Sequence, residues 1–195
     1  IPKITEVDRS KRPADAPAVE FLTHCPDCGT ALQRRDGEAQ HFCPNAYGCA
    51  PQVKGRIEHF VHRKAMDVEG IGTETVDQLV DAGLVQRPAD LYDLTWDQWA
   101  QLDKFKDKSI QNALDGLQRS KDIPFERVLF AMGIRHVGET VAKKLAKHFG
   151  SLEALSTATQ EALENVGDIG PMIAASVLEY FSDLANLHEV ERLRA

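Results

Sequence analysis

The sequence has no apolar run of eighteen residues, so no segment is long enough to cross a bilayer as a helix. It has no cysteine beyond Cys25, Cys28, Cys43 and Cys49 and no signal peptide, which argues against the disulfide framework of a small secreted domain. An excess of positive charge is also missing: 23 lysines and arginines stand against 30 aspartates and glutamates, for a net charge of -7. That balance argues at first sight against nucleic acid, because phosphate binding normally shows as a basic patch. No methionine starts the chain. Ile1 to Val7 reads as a strand and Arg194-Ala195 as an unfinished helical pattern, so a piece of a longer protein is expected.

The four cysteines form two close pairs, C-x2-C and C-x5-C, separated by fourteen residues. A Cys25-Pro-Asp-Cys28 turn can aim two thiolates at one ion and Cys43 and Cys49 can complete a closed, all-sulfur tetrahedral set, the arrangement of structural zinc. Gly29 and Gly48 beside the pairs supply permissive backbone for tight metal turns. Two other readings use the same residues. A redox dithiol at Cys25 and Cys28 needs a surrounding βαβ pattern and leaves Cys43 and Cys49 unemployed. Two disulfides would employ all four thiols. His24 and His41 flank the site and could replace a cysteine as ligand.

The charge is unevenly spread. From Ala65 to Asp103 nine acidic residues face the single Arg87, whereas Arg119 to Gly150 carries seven lysines and arginines against Asp122, Glu126 and Glu139. A second basic cluster, Lys54, Arg56, Arg63 and Lys64, is diluted by Glu58. Both clusters are candidate contact regions, and both are compatible with ordinary solvated helix faces.

After residue 65 the chain reads as helices joined by short turns, and one phrase recurs. Val68-Glu-Gly-Ile-Gly72-Thr-Glu-Thr-Val76 returns as His136-Val-Gly138-Glu-Thr-Val-Ala142 and Asp168-Ile-Gly170-Pro-Met-Ile-Ala174, with a weaker copy at Lys104-Phe-Lys106-Asp-Lys-Ser-Ile110. Aligned on Gly72, Lys106, Gly138 and Gly170, the copies lie 34, 32 and 32 residues apart. An apolar residue (Ile71, Phe105, Val137, Ile169) precedes each aligned position, and Val76, Ile110, Ala142 or Ala174 follows four residues on, one helical turn away and on the inward face. A period near 33 also fits tetratricopeptide or ankyrin arrays, but neither signature appears, whereas the glycine hairpin does. The expected unit is helix, glycine turn, helix.

Such a turn leaves the first backbone N–H groups of the following helix without intrahelical acceptors, and the helix dipole adds partial positive charge. A phosphate oxygen can bind there without a basic side chain. Glycine is expected at these points because a Cβ would exclude positive φ and hold the phosphate away. Thr73 and Thr140 could add hydroxyl donors, and Lys143, Lys144 and Lys147 could reach neighbouring phosphates. Lys106 in place of glycine leaves the second hairpin's contact open, and Asp168 makes the fourth a poor neighbour for phosphate unless it points away, with Gly167 supplying flexibility there. Trp96, Trp99, Phe125, Phe130 and Phe181 fall at helical spacings expected of core.

The finger spacing followed by these hairpins resembles the C-terminal part of bacterial NAD-dependent DNA ligase. The phrases that carry the likeness are His24-Cys-Pro-Asp-Cys-Gly-Thr30, His59-Phe-Val-His-Arg-Lys-Ala-Met-Asp-Val-Glu-Gly-Ile-Gly72, Ala89-Asp-Leu-Tyr-Asp-Leu94, Lys108-Ser-Ile-Gln-Asn112 and Leu129-Phe-Ala-Met-Gly-Ile-Arg-His-Val-Gly-Glu-Thr-Val-Ala142. The resemblance implies a mainly α fold: residues 1–21 ending an oligonucleotide-binding domain strand plus a linker, a four-cysteine zinc finger at 22–50, and a helix-hairpin-helix domain at 51–195 with hairpins near 70–72, 104–106, 136–138 and 168–170. It implies one structural zinc on Cys25, Cys28, Cys43 and Cys49. By motif position, Gly70, Gly72, Thr73, Arg135, His136, Gly138, Thr140, Lys143, Lys144 and Gly170 would contact DNA.

By the same likeness the chain would grip nicked double-stranded DNA, without reading its sequence, during strand joining in replication and repair. The family adenylates a lysine in a K-x-D-G motif with NAD, and no K-x-D-G occurs in this chain. The family's C-terminal BRCT domain is not expected within this chain either. No catalytic residue is expected here, the chain alone should be inactive, and NAD and magnesium would belong to the N-terminal part of the parent enzyme. Expected partners are DNA and the adenylation and oligonucleotide-binding domains of the same parent, in a monomeric, cytoplasmic, nucleoid-associated bacterial protein. Two alternatives stand beside this: a helix-hairpin-helix repair adaptor without ligase chemistry, and a zinc-stabilised scaffold that binds protein.

Overall fold

The computed structural model describes residues 5, 6 and 8–194. The strand expected at Ile1 to Val7 lies, apart from Thr5 and Glu6, outside the described residues. The chain divides into two compact units, Ile1–Asn45 and Ala46–Ala195.

The first unit has little regular structure. Asp8 accepts the Ser10 N–H at 3.1 Å and caps a 3-10 turn at Arg9–Lys11, after which residues 12–22 form no helix or strand. The proline-rich and alanine-rich composition there explains this, since proline lacks a donor and the stretch has no apolar period to bury. Strands β1 (Gln33–Arg34) and β2 (His41–Phe42) pair antiparallel, with Gln33 opposite Phe42 and Arg34 opposite His41. Cys25 and Cys28 precede this hairpin and Cys43 follows it directly.

The second unit is helical. Helix α1 (Ala50–Val61) starts directly after Cys49, with Pro51 in its first turn, and buries Val53, Ile57, Phe60 and Val61 at one-turn spacing. Then follow α2 (Thr73–Asp81), the one-turn helices α3 (Asp90–Asp93) and α4 (Trp96–Trp99), and α5 (Asp107–Ser120). The chain continues with α6 (Phe125–Ala131), α7 (Glu139–Phe149), the short α8 (Leu152–Ser156) and α9 (Gln160–Glu164), α10 (Pro171–Ser182) and α11 (Leu184–Arg194). Caps mark the boundaries: Thr95 and Gln98 form a capping box on α4, Ser151 and Thr159 cap α8 and α9, and Gly150 in left-handed conformation stops α7.

Two apolar clusters fill this unit. One gathers residues of α1, α2 and α5 with Ile71, Leu91 and Trp99; the other gathers residues of α7, α9 and α10 with Val137, Ile169 and Val190. Each cluster lies beneath two successive hairpin copies, so the repeat is built as two pairs. The residues four past the aligned positions, Val76, Ile110, Ala142 and Ala174, are at most 1% exposed and form the floor of these clusters. Of the aromatics expected in the core, Trp99 and Phe181 are buried, while Phe125 and Phe130 are half-buried against the clusters. Trp96 departs from expectation. It opens a helix of a single turn, between exposed Thr95 and Asp97, and is 41% exposed, because α4 is too short to carry a second buried row.

Candidate metal site and nucleic-acid interface

The turn after Cys25 is held by main-chain bonds. Gly29 N–H donates to the Cys25 carbonyl at 2.9 Å, Cys25 N–H to the Thr30 carbonyl at 2.8 Å, and Gly29 takes φ +70°, a conformation its missing Cβ permits. Cys28 and Cys43 are brought to 3.5 Å between sulfurs, and the Sγ atoms of Cys25, Cys28, Cys43 and Cys49 all lie within 4.8 Å of one another. A tetrahedral ion with sulfur ligands at 2.3 Å needs sulfurs about 3.8 Å apart, so the donor set suits zinc. None of the four is joined in a disulfide, which leaves the two-disulfide reading without support in the structure. Thr30 Oγ1 lies 3.2 Å from Cys28 Sγ, and its hydroxyl, then its N–H, holds that thiol down to about 6. Burial pushes Cys43 up to about 11. His24 and His41 are exposed and otherwise engaged: His24 Nδ1 lies 3.0 Å from Thr23 Oγ1, and the His41 ring stacks on Phe21.

The four hairpins share one backbone conformation. Gly72, Lys106, Gly138 and Gly170 each sit in extended conformation immediately before a helix of at least nine residues, and none of those helices has a side-chain cap. In the first three the first-turn N–H groups therefore have neither intrahelical acceptors nor a capping oxygen, whereas in α10 Pro171 has no N–H and the Ile173 N–H donates to the Gly170 carbonyl at 3.0 Å. All four positions are exposed, so the bends face outward.

The structure corrects one part of the sequence reasoning about glycine. Gly72, Gly138 and Gly170 have φ of -108°, -82° and -90°, which any residue can adopt. The left-handed residue lies two positions earlier, at Gly70 (φ 89°), Lys104 (62°), His136 (64°) and Asp168 (66°). The reversal is thus made by whatever residue stands there, and Gly167 is not needed for it. A Cβ added at Gly72, Gly138 or Gly170 would meet nothing within 4 Å, so their bareness is an open surface that another molecule can approach closely. Gly70 is different. Its Cβ would lie 3.0 Å from Ala113 N and 3.1 Å from Asn112 C, against the backbone of α5.

The reciprocal contact is Gly116 in α5, where a Cβ would fall 2.2 Å from the Glu69 carbonyl oxygen. Helix α5 and the first hairpin touch backbone to backbone. Sequence reasoning missed Gly116; its signal was a glycine in the middle of an otherwise regular helical pattern.

The side chains around the bends are tied by ion pairs. Lys104 Nζ reaches Glu74 at 3.1 Å, linking the second hairpin to α2, and Lys144 pairs with Asp168, linking α7 to the fourth hairpin. Lys144 holds the Asp168 carboxyl below the usual range, so that carboxylate is charged but balanced. Lys64 pairs with Glu139 at 2.7 Å. Thr73, Thr140, Arg135, His136 and Lys143 are exposed around the first and third bends. Two surface clefts adjoin the bends. One, of about 490 Å³, is lined by His62, Arg63, Gly70, Gly72 and Thr73; the other, of about 390 Å³, by Lys144, Lys147, His148, Asn165 and Gly167. Arg63 belongs to the second basic cluster noted from sequence, His62 was not singled out, and only folding brings them beside Thr73.

Residues 24–50 match the family described as NAD-dependent DNA ligase C4 zinc finger domain, and residues 127–190 match the helix-hairpin-helix motif. Over its whole length the chain is 55% identical to the DNA ligase of Christiangramia forsetii, 53% to that of Bacteroides fragilis and 45% to that of Chlorobium phaeovibrioides. In each case it spans 29% of the relative's length. Over its whole length the chain is thus similar to one stretch of these DNA ligases, and within it lie a segment matching the NAD-dependent DNA ligase C4 zinc finger domain and a segment matching the helix-hairpin-helix motif.

Proposed function

We propose that this chain is the part of a DNA ligase that grips nicked double-stranded DNA through the backbone, with a structural zinc on Cys25, Cys28, Cys43 and Cys49. The observation that carries the reading is the repeated exposed bend: four uncapped helix starts in one conformation, three of them with a bare glycine facing open space. Amides at such a bend donate to a phosphate oxygen, and hydrogen bonds to a charged partner contribute about 1.5–3 kcal/mol each. Charges more than about 8 Å from a bend are largely screened at physiological salt, so a net charge of -7 does not by itself oppose contact there. The grip touches phosphates and so does not read sequence.

In this proposal Gly72, Gly138 and Gly170 admit the backbone of DNA, Thr73 and Thr140 add hydroxyls, Arg135 and Lys143 neutralise adjacent phosphates, and His136 and Lys144 border them. Gly70 shapes the first bend. The second bend, with Asp103 and Asp107 on either side of Lys104 and Lys106, serves packing. The finger at 22–50 and the hairpin domain at 51–195 work within a parent enzyme whose adenylation domain handles NAD and magnesium and whose setting is the bacterial cytoplasm. The chain acts as a monomer.

Binding to a nicked duplex at several salt concentrations tests this. Log affinity should fall linearly with log salt, with a slope of about -0.9 for each phosphate neutralised. Binding that ignores salt, or no binding, would remove the DNA grip and favour a protein-binding scaffold.

A further inference from the structure

A cavity of about 290 Å³ opens at the edge of the first apolar cluster, where residues of α1, α3, α5, α6 and α11 meet. That is the lower end of the size range for small-molecule sites. Phe60, Met66, Val128, Leu193 and the Tyr92 ring give it an apolar lining, and none of the hairpin residues lines it.

The polar groups of the wall differ in what they have left to offer. The Tyr92 and Ser120 hydroxyls are 2.8 Å apart, and Ser120 gives its proton to the Leu117 carbonyl at 2.7 Å, so Tyr92 is the donor between them. Neither has a proton left for a ligand. Three cations complete the lining, Lys121, Arg192 and Arg194, and no carboxylate does, although the chain as a whole carries a net charge of -7. Arg192 is held by Asp90 at 2.6 Å and Asp93 at 2.5 Å, and Arg194 pairs with Glu153 and Glu191. Lys121 is different. Its Nζ stands 5.9 Å from the centre of the Tyr92 ring and, among the described residues, has no carboxylate partner.

The cavity thus joins an apolar interior to one ammonium whose charge the protein does not balance. A cationic ligand would meet three like charges, and a purely apolar one would leave the ammonium unpaired. An apolar body with a single anionic head satisfies both.

We propose that this cavity binds a small amphipathic monocarboxylate, an aryl- or alkyl-alkanoate, with its hydrocarbon against Phe60, Met66, Val128 and Leu193 and its carboxylate on Lys121 Nζ. The site is separate from the bends, and the proposal is independent of the DNA grip.

Isothermal titration of the zinc-loaded chain tests it with three probes of one shape and different heads: 4-phenylbutyrate, 4-phenylbutanol and 4-phenylbutylamine. The acid should bind about tenfold more tightly than the alcohol, and the amine more weakly than either. Lys121→Met keeps an apolar stem and removes the charge, so acid and alcohol should then bind alike, with the alcohol's affinity as in wild type. Val128→Phe fills the cavity and should lose both ligands, and its melting curve checks that it folds. No binding of the acid to wild type, or equal binding of all three heads, overturns the proposal. An acid preference that survives Lys121→Met overturns it too, as does acid binding that survives in a folded Val128→Phe. Should Val128→Phe fail to fold, Lys121→Met decides alone, since Lys121 is exposed and its replacement leaves the core intact.

Discussion

Replacing Gly70 by alanine puts a methyl group where the backbone of α5 already stands. The new Cβ would lie 3.0 Å from Ala113 N, 3.1 Å from Asn112 C and 3.2 Å from Ala113 Cα, and none of these atoms can rotate away. The residue would also be forced to keep φ 89° or abandon the bend. Left-handed strain costs about 1–2 kcal/mol and overpacking about 1–3 kcal/mol, so a loss near 3 kcal/mol is expected. For a unit of this size that lowers the melting temperature by roughly 6–12 °C. Gly138→Ala is the matched control. Its Cβ meets nothing within 4 Å and its φ is -82°, so the poorer helix cap and the stiffer unfolded chain nearly cancel, to within about 1 kcal/mol. On DNA the order should reverse in kind: Gly138→Ala keeps its fold but binds nicked duplex about tenfold more weakly, by the loss of one charge-assisted amide contact. Circular dichroism melting and fluorescence anisotropy measure the two quantities. A Gly70→Ala protein that melts with wild type would refute the packing argument, and a Gly138→Ala protein with full affinity would refute the amide grip.

Gly116→Ala should destabilise at least as much as Gly70→Ala, since its Cβ would fall 2.2 Å from the Glu69 carbonyl oxygen; equal melting temperatures for this variant and wild type would contradict the close approach of α5. Cys43→Ser, or a chelator, should abolish one-to-one zinc retention and open residues 24–50 to protease, because metal binding and folding are one equilibrium in such a site. Zinc content and digestion pattern report this, and no change in either would end the structural-metal reading. Glu189, 6% exposed, accepts the Ala89 N–H at 2.7 Å through Oε1, while Oε2 finds no donor among the described residues. Burial raises its carboxyl above the ordinary value, against the pull of the Ala89 N–H and of Arg87 and Arg192. A raised folded pKa means that the proton favours the fold, so stability is complete below the unfolded value and declines as pH rises through the folded one. Glu189→Gln should therefore gain on wild type as pH rises above the ordinary glutamate value of about 4.3, and a stability difference independent of pH would refute the assignment.

Local residue patterns suffice for the elements of this protein and for its two chemical themes. Four cysteines with nothing else to pair with define one site, because a metal's demand for four sulfurs is met by spacing alone. Three glycine phrases and a degenerate fourth in fixed register define the bends, because apolar residues one before and four after each aligned position can be buried together only if a helix begins there. Lys106, which looked like a departure, takes the same backbone conformation as its glycine counterparts. Local patterns of this kind survive in one dimension.

Which glycine does what was decided only in three dimensions. Gly70 and Gly72 are two residues apart and read alike, yet one is pressed against Ala113 and the other borders open space. The difference is made by α5, some forty residues downstream, whose own Gly116 lets the two backbones touch. Contacts of that separation leave no periodic trace, so the meeting of Glu69 with Gly116, the pairing of Lys144 with Asp168, the placing of Arg63 beside Thr73 and the exposure of Trp96 all belong to tertiary packing. A helix pattern fixes which face turns inward; what the outward face meets depends on where the other helices come to rest.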